Sequence, residues 1–574
     1  MKRLVAIAAA LALLASAIPA AAGPPPRPNI VVLMTDDQTV RQLEVMGQTR
    51  ALIGARGTSF RRAIVSYPLC CPARATFLTG LYAHNHGVIH NAGPFGGIKA
   101  FDTPNSLPVW LHNAGYRTIQ LGRYLNGYGQ DGDPAAPPGW DSWHATMDPG
   151  TYDYYEWRMS DNGVASAYPE PGHAGEHQTD YYARRAAELV DDAARSDQPF
   201  FLNLWFTAPH SGRPSEPDDP PSLPTPVPAT RHRDAFAGVP LPRPPSFDEA
   251  DVSDKPQIVA DRQRLGPEQA AAIQENYQQE LESLSSVDDA VAAVYAALKR
   301  SGELDDTLIV FTSDNGFMHG EHRIQSEKVV PYEESIRVPL LMRGPGVPRG
   351  RQERRLVPNV DLAATILDVA GATAGRIPDG RSLLPLLRDR GLEPGRDVLL
   401  EDGQGANGIP AYRGLRTYRF KYIEHLTTGE FELYDLKRDP YELRSLDATL
   451  SYQPLLVDMR RRLRRLARCA GSRCRARPSL KLRLSSHGHR KARRSVRCVR
   501  RVLRLRVAGA ESSKVLRADV LIGRRRVARM SRRRLARSVP PGHLRPGRRF
   551  LLRVRTSLRD GRVVTLDRRL RACR

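Results

Sequence analysis

Short apolar runs alternate with amphipathic helical stretches after a proline-rich segment (GPPPRP), a pattern that predicts an α/β domain around a central sheet. Four of these runs end alike. Asn29 to Met34 leads into Thr35-Asp36-Asp37, and Arg117 to Leu121 into Gly122-Arg123-Tyr124. Phe200 to Phe206 leads into Thr207-Ala208-Pro209-His210, and Thr307 to Phe311 into Thr312-Ser313-Asp314-Asn315-Gly316. Four candidate buried strands therefore deliver polar, ligand-type residues at their C-terminal ends, where open α/β sheets build their sites.

The remaining pattern divides the chain further. Between His210 and Arg262 runs a polar, proline-dense insertion, which reads as a loop over the site. Residues 265–302 read as mostly helix with Gly302 as the stop. From about residue 396 to 445 the pattern becomes short antiparallel strands, followed by a helix from about Pro454 to Arg468. From Ser495 onward apolar and basic residues alternate (VLRLRV, FLLRVR), which predicts a small β-domain and not a disordered basic arm.

Charge and cysteine usage sharpen this division. Residues 475–574 hold 34 Lys and Arg against 4 Asp and Glu, so the net charge of +24 belongs to the tail and the body is mildly acidic. Such a tail suits anionic polymers; nucleic acid is not an expected partner of an exported chain. Export is the reading of residues 1–22: Lys2 and Arg3, an apolar run, then small residues up to Ala22 have the layout of a cleaved signal peptide. The alternative is an uncleaved anchor; no later segment is apolar enough to span a membrane. Four cysteines lie in the last 106 residues and allow three disulfide connectivities. The expected one pairs Cys469 with Cys474 and Cys498 with Cys573. Cys70 and Cys71 are left without partners.

Cys70-Cys71-Pro72-Ala73-Arg74, continued by Leu78-Thr79-Gly80, matches the sulfatase signature Cys-x-Pro-x-Arg with its downstream Leu-Thr-Gly. From about Pro28 to Arg477 the chain resembles the sulfatases of the alkaline phosphatase superfamily, and within them the glucosamine-6-sulfatase-like branch. VLMTDDQ, GRYLNGYG, APHS, SDNG and YEESIRVPLLMRGPGV carry the likeness in order.

The resemblance implies a fold with a large central mixed sheet flanked by helices, a smaller C-terminal antiparallel-sheet subdomain and, here, an added basic β-rich tail. The expected divisions are 28–390, 391–477 and 478–574. It also implies that a formylglycine-generating enzyme oxidises Cys70 to an aldehyde. The hydrate offers two hydroxyls on one carbon, one to attack sulfur and one whose deprotonation expels sulfate. Cys71 is out of register and reads as a small buried side chain.

The same likeness assigns the surroundings. Asp36, Asp37, Asp314 and Asn315, with the Cys70-derived hydroxyl, would hold one Ca²⁺; three carboxylates and an amide are hard oxygen ligands. Arg74 would hold the nucleophile, Lys328 the sulfate or leaving oxygen, and His210 would stand on the leaving-group side and donate a proton there. Taken singly, the acidic pair could be a helix cap and Asp-Asn-Gly a turn.

One departure stands out. Many sulfatases carry Gly-Lys-x-His where this chain has Gly122-Arg123-Tyr124-Leu125-Asn126. Arg123 keeps the charge but changes its shape, and Leu125 is no base. Asn126 is a candidate for placing substrate, and His86 and His319 are candidate bases. The leading expectation is a secreted hydrolase of sulfate monoesters, on a small molecule or a glycan such as 6-O-sulfated N-acetylglucosamine. The alternatives are a phosphoric or phosphonic monoester hydrolase of the same superfamily and a non-catalytic glycan-binding protein.

Overall fold

The computed structural model describes residues 27–388, 396–402 and 409–475, and beyond 480 the segments 481–486, 503–508, 512, 515–523, 525–531, 534–539, 548–558 and 563–571. The leader and the cysteines 498 and 573, with the disulfide expected between them, lie outside these residues.

A ten-stranded sheet forms the centre. Its middle is the strand Asn29–Thr35, paired in parallel with Thr307–Ser313 on one side and Phe200–Trp205 on the other. Arg117–Gly122 lies parallel beside Phe200–Trp205. The four apolar runs singled out above are thus adjacent, parallel strands, and their C-terminal ends share one edge. Both faces of the strands at 29–35, 200–205 and 307–313 are buried along their whole length, which explains why they read as continuous apolar runs without alternation.

Outward from this core the sheet turns mixed. Ser142–Thr146 continues it in parallel, then the hairpin Trp157–Asp161 and Val164–Tyr168 closes one edge. On the other side Leu340–Arg343 runs antiparallel to Thr307–Ser313 and leads to Thr58–Phe60 and Arg351–Glu353. One face packs against the helices Gln178–Ala193 and Pro267–Arg300, through Leu189, Val190, Leu284, Val291 and Leu298. The long helix stops at Gly302, whose φ of +84° an ordinary side chain resists.

The proline-dense insertion carries little regular structure. Leu223 and Leu241 pack on Ala272, Ile273 and Tyr277 of the long helix, and farther along Glu249 accepts a hydrogen bond of 2.6 Å from His322. It therefore covers the long helix first and braces the loop after Asn315 second.

A four-stranded antiparallel sheet, Val398–Asp402, Tyr412–Arg416, Phe420–His425 and Phe431–Asp435, packs on the helix Gln453–Leu466. Cys469 and Cys474 beyond it are bonded to each other. The tail forms a three-stranded and a four-stranded sheet around its own core, which includes Leu503, Leu505, Val520, Leu552 and Val554. In Leu503–Ala508 the leucines and Val507 are buried while Arg504 and Arg506 are exposed, the period-two pattern of a half-buried strand.

Candidate active site

Cys70 is the first residue of the helix Cys70–Thr79 and is 1% exposed. The signature has a local physical reason. Pro72 stands in the first turn, where its missing N–H would have had no helical partner. Arg74 follows Cys70 by four residues and so lies on the same helix face. Gly80 ends the helix with φ +67°, and a Cβ there would come within 3.0 Å of Pro378.

Arg74 is wholly buried; its Nε donates to Asp314 at 2.8 Å and its Nη2 to Asp36 at 2.9 Å. Its guanidinium lies 4.8 Å over the Trp205 ring. One fork thus joins the ends of two adjacent strands. Asp37 takes a φ of +69°, a left-handed conformation that aspartate tolerates better than most residues. Lys328 reaches both Asp37 oxygens, at 2.8 and 2.7 Å, and Cys70 Sγ at 3.2 Å. Asn315 donates to Asp37 at 2.5 Å. Gly316 after it is required by crowding, because a Cβ would lie 2.1 Å from the Glu334 carbonyl.

The arrangement can hold a cation. Carboxylate oxygens of Asp36, Asp37 and Asp314 lie within 4.8 Å of one another. The Oδ1 of Asn315 is buried and has no hydrogen-bond partner, a costly state that a metal ligand bond would relieve. Three carboxylates and an amide oxygen fit Ca²⁺ better than a metal that prefers nitrogen or sulfur.

Sγ of Cys70, which marks the place of an oxygen in an oxidised side chain, is 3.6 Å from Asp36 Oδ1. Burial pushes the thiol up to about 12, further than Lys328 lowers it. An unmodified Cys70 is therefore a protonated, weak nucleophile near neutral pH. Cys71 is fully buried in the core and its N–H donates to Asn91 at 2.9 Å.

Arg123 contacts Asp36 through Nη1, and its Nη2 donates to the Tyr152 hydroxyl at 2.7 Å and to Asn126 Oδ1 at 3.3 Å. Asn126 donates to the same hydroxyl at 3.0 Å. His210 is half-buried, with Nε2 3.7 Å from Asp37 and its ring 4.7 Å from that of Tyr152. Its Nδ1 donates to the Ser211 carbonyl at 2.7 Å. Burial, then Lys328 and Arg123, hold its pKa well below the ordinary value, so Nε2 is a hydrogen-bond acceptor at neutral pH. For Lys328, burial favours the neutral amine, but the carboxylates of Asp37 and Asp314 outweigh it and keep the ammonium.

The two candidate bases fare differently from expectation. His86 is not brought to the site. Its Nδ1 accepts from Val88 N–H at 3.1 Å and its Nε2 meets Thr76 Oγ1 at 3.0 Å, so both nitrogens are engaged inside the helix–turn segment. Burial lowers its pKa to about 3. His319 is buried with Nε2 2.7 Å from Glu280, a carboxylate that Gln42 and Asn276 also hold. Burial opposes its charge, yet Glu280 holds its pKa above the ordinary value.

Nothing in the sequence marks Tyr152 or Glu280 as part of a site, or Trp205 as more than a strand residue. Each looks like an ordinary core or helix residue until the chain folds.

A buried cysteine at a helix start, three carboxylates and three fixed cations at the C-terminal edge of a mixed sheet suit the hydrolysis of charged esters. Comparison with known proteins makes this specific. The family described as "Sulfatase" matches residues 28–372, and "N-sulphoglucosamine sulphohydrolase, C-terminal" matches residues 320–469. N-acetylglucosamine-6-sulfatase of Capra hircus is 32% identical over 526 residues, covering 82% of this chain and 90% of that one. The Homo sapiens enzyme of that name is 33% identical, covering 78% and 86%. Among solved structures, one described as in complex with its substrate D-glucosamine-2-N,6-O-disulfate matches with a TM-score of 0.64 and 24% identity, over 76% of this chain and 97% of that one. The phosphonate monoester hydrolase of Agrobacterium radiobacter shares the fold at a TM-score of 0.56 and 23% identity, over 76% and 95%. The chain belongs to the sulfatase family and is a sulfuric ester hydrolase.

Proposed function

We propose that this protein removes 6-O-sulfate from an N-acetylglucosamine-type sugar, on a small saccharide or at a glycan end, after export from the cell. The observation that carries the chemical part is the convergence of Asp36, Asp37, Asp314 and the unpartnered Asn315 oxygen beside Cys70. The substrate part rests on the two N-acetylglucosamine-6-sulfatases that align along most of this chain.

Asp36, Asp37, Asp314 and Asn315 would hold Ca²⁺, which supplies a Lewis acid toward a sulfate oxygen. A formylglycine at position 70, made by a formylglycine-generating enzyme, supplies the nucleophile and a second hydroxyl to release sulfate. Arg74 fixes Asp36 and Asp314 and keeps positive charge behind the nucleophile. Lys328 presents an ammonium between Asp37 and position 70, where a sulfate oxygen would take its hydrogen bonds. Arg123 adds a third fixed charge and is held in place by Tyr152 and Asn126. The neutral ring of His210 offers Nε2 as an acceptor on the half-buried side of the site.

Export rests on the charged, apolar and small-residue layout of residues 1–22. No helix among the described residues is long and apolar enough to cross a membrane, and relatives described as extracellular sulfatases occur in Caenorhabditis elegans and Drosophila melanogaster. The basic tail, with exposed Arg504, Arg506, Arg525, Arg526 and Arg529, would dock the enzyme on an anionic polymer.

The test begins with the tryptic peptide containing Cys70, from protein made alongside a formylglycine-generating enzyme. A mass loss of about 18 Da is the change expected for thiol-to-aldehyde oxidation. The modified protein should release sulfate from N-acetylglucosamine 6-sulfate and not from the 3-sulfate. An unmodified thiol despite maturation would refute the nucleophile, and equal release from both isomers would refute the substrate.

A further inference from the structure

Tyr152 ends a short turn, Gly150–Tyr152, that joins two sheet strands. The turn is held in place from several directions. The Thr151 carbonyl accepts from Thr207 Oγ1 and from Gln178 Nε2, each at 3.2 Å. The Tyr152 carbonyl accepts from the Arg213 N–H at 2.8 Å.

The hydroxyl has an unusual set of neighbours. A phenol carries one hydrogen and two lone pairs. Arg123 can only donate, and its Nη2 points at the Tyr152 oxygen at 2.7 Å. Arg123 also donates to Asn126 Oδ1, which fixes the amide so that its NH₂ faces the same hydroxyl, at 3.0 Å. Both bonds to Tyr152 are therefore accepted by it. Its own O–H has no acceptor among the described residues and remains free to donate. Arg123 and Asp36 behind it are buried to 2% and 0% exposure, whereas Tyr152 and the His210 ring packed on it are half-buried. The free O–H thus belongs to a half-buried side chain packed on the ring of His210, the residue that the family likeness puts on the leaving-group side.

We propose that Tyr152 is a further catalytic residue: its O–H donates a hydrogen bond to the ester oxygen that becomes the leaving alkoxide. This rests on the sulfatase reading of the site given above. The bond strengthens as charge grows on that oxygen when sulfur separates from it, and so favours the transition state over the bound ester. Arg123 and Asn126 support it, because two donors on the phenol oxygen make its hydrogen a stronger donor. A sugar alcohol is a poor leaving group, so the contribution matters most for such esters.

The test compares the formylglycine-bearing wild type with Tyr152→Phe on sulfate esters of rising leaving-group pKa, from 4-nitrophenyl through phenyl to an alkyl sugar sulfate. The expected result is a loss in kcat/KM of a few-fold for the nitrophenyl ester, growing to about 10²-fold for the sugar ester. A loss equal across the series would assign Tyr152 to positioning Arg123 and Asn126 only, and no loss would remove it from the site; either overturns the proposal. If the phenylalanine variant does not fold, 3,5-difluorotyrosine at 152 keeps the ring and hydroxyl with a more acidic donor. It should make the rate less dependent on the leaving group, and an unchanged dependence would overturn the proposal. A wild type that hydrolyses none of these esters would instead overturn the reading on which this one stands.

Discussion

Lys328 lies within hydrogen-bond distance of both oxygens of Asp37 and 3.2 Å from Cys70 Sγ, so one ammonium touches a candidate cation ligand and the candidate nucleophile position together. Its removal should act twice. Lys328→Met takes a preorganised donor from the sulfate, with an expected fall in kcat of about 10² to 10³-fold. It also leaves Asp37 without its closest cation, which should lower stability by a few kcal/mol. Lys328→Arg should recover most of the stability and less of the rate, because the fork cannot fill the same point. Parallel kinetics and thermal melts separate the two effects; a rate within threefold of wild type for the methionine variant would exclude the assigned role.

Arg123 stands where the Gly-Lys-x-His likeness leads one to expect lysine. The structure gives a reason for the fork: one nitrogen contacts Asp36 while another serves Tyr152 and Asn126. A lysine has the charge but cannot span both directions. Arg123→Lys is therefore expected to lose about 10 to 100-fold in kcat/KM, the scale of one or two charged hydrogen bonds. Activity equal to or above wild type would mean that Arg123 only substitutes for the lysine charge.

These residues also mark how far the sequence could be read. The strands at 29–35, 200–205 and 307–313 announce themselves, because burial on both faces demands largely apolar runs and the polar residues that follow are abrupt. The strand at 117–122, with Arg117, Thr118 and Gln120 in it, is marked mainly by its Gly-Arg-Tyr ending. The outer strands at 58–60, 340–343 and 351–353 do not announce themselves. They are three or four residues long and exist only through partners far away in the chain. Cys70 and Arg74 were legible because one helical turn fixes their spacing. Tyr152 was not, since GTYDYYEW offers several equivalent aromatics and the choice depends on Thr207 and Gln178 folding the turn back. Glu280 looked like the polar face of a long helix, and only the fold brings Gln42 and His319 against it.

The charges around the candidate metal position are already matched, three carboxylates against Arg74, Arg123 and Lys328. Chelation should therefore abolish turnover while leaving a folded protein. Calcium at 100 times its Kd should add about 2.7 kcal/mol to stability by linkage, read as a rise in melting temperature. Asn315→Ala removes one oxygen and should weaken that rise. A melting temperature insensitive to calcium, with full activity in chelator, would exclude the site.

His86 gives a stability prediction with a definite sign. In the unfolded chain a histidine takes its proton near 6.5, whereas in the fold burial delays this to about 3. Between those values the unfolded state binds the extra proton, so the neutral, buried ring loses its advantage progressively as pH falls through that window. The contribution is on the order of a few kcal/mol. His86→Gln keeps a polar side chain beside Thr76 and Val88 and should flatten the acid side of the stability profile from pH 6.5 downward. Denaturant unfolding at several pH values measures this. An unchanged slope would show that other groups set the acid limb, and a collapse of kcat with unchanged stability would restore His86 as a base.

The tail has its own core and, among the described residues, carries arginines on exposed strand positions, as in Leu503–Ala508 where Arg504 and Arg506 alternate with buried neighbours. Such charges act on a polyanion over roughly a Debye length, about 10 Å at 0.1 M salt, and fade as salt rises. Deleting residues 478–574 should leave turnover of 4-nitrophenyl sulfate within about twofold, since every residue placed around Cys70 lies before residue 330. Retention on an immobilised sulfated polysaccharide should fall sharply at low salt and differ little from the full chain at high salt. If retention persists without the tail, the docking surface lies on the catalytic body. If small-ester turnover collapses in a truncation that still melts cooperatively, the tail supports the site itself and the docking role fails.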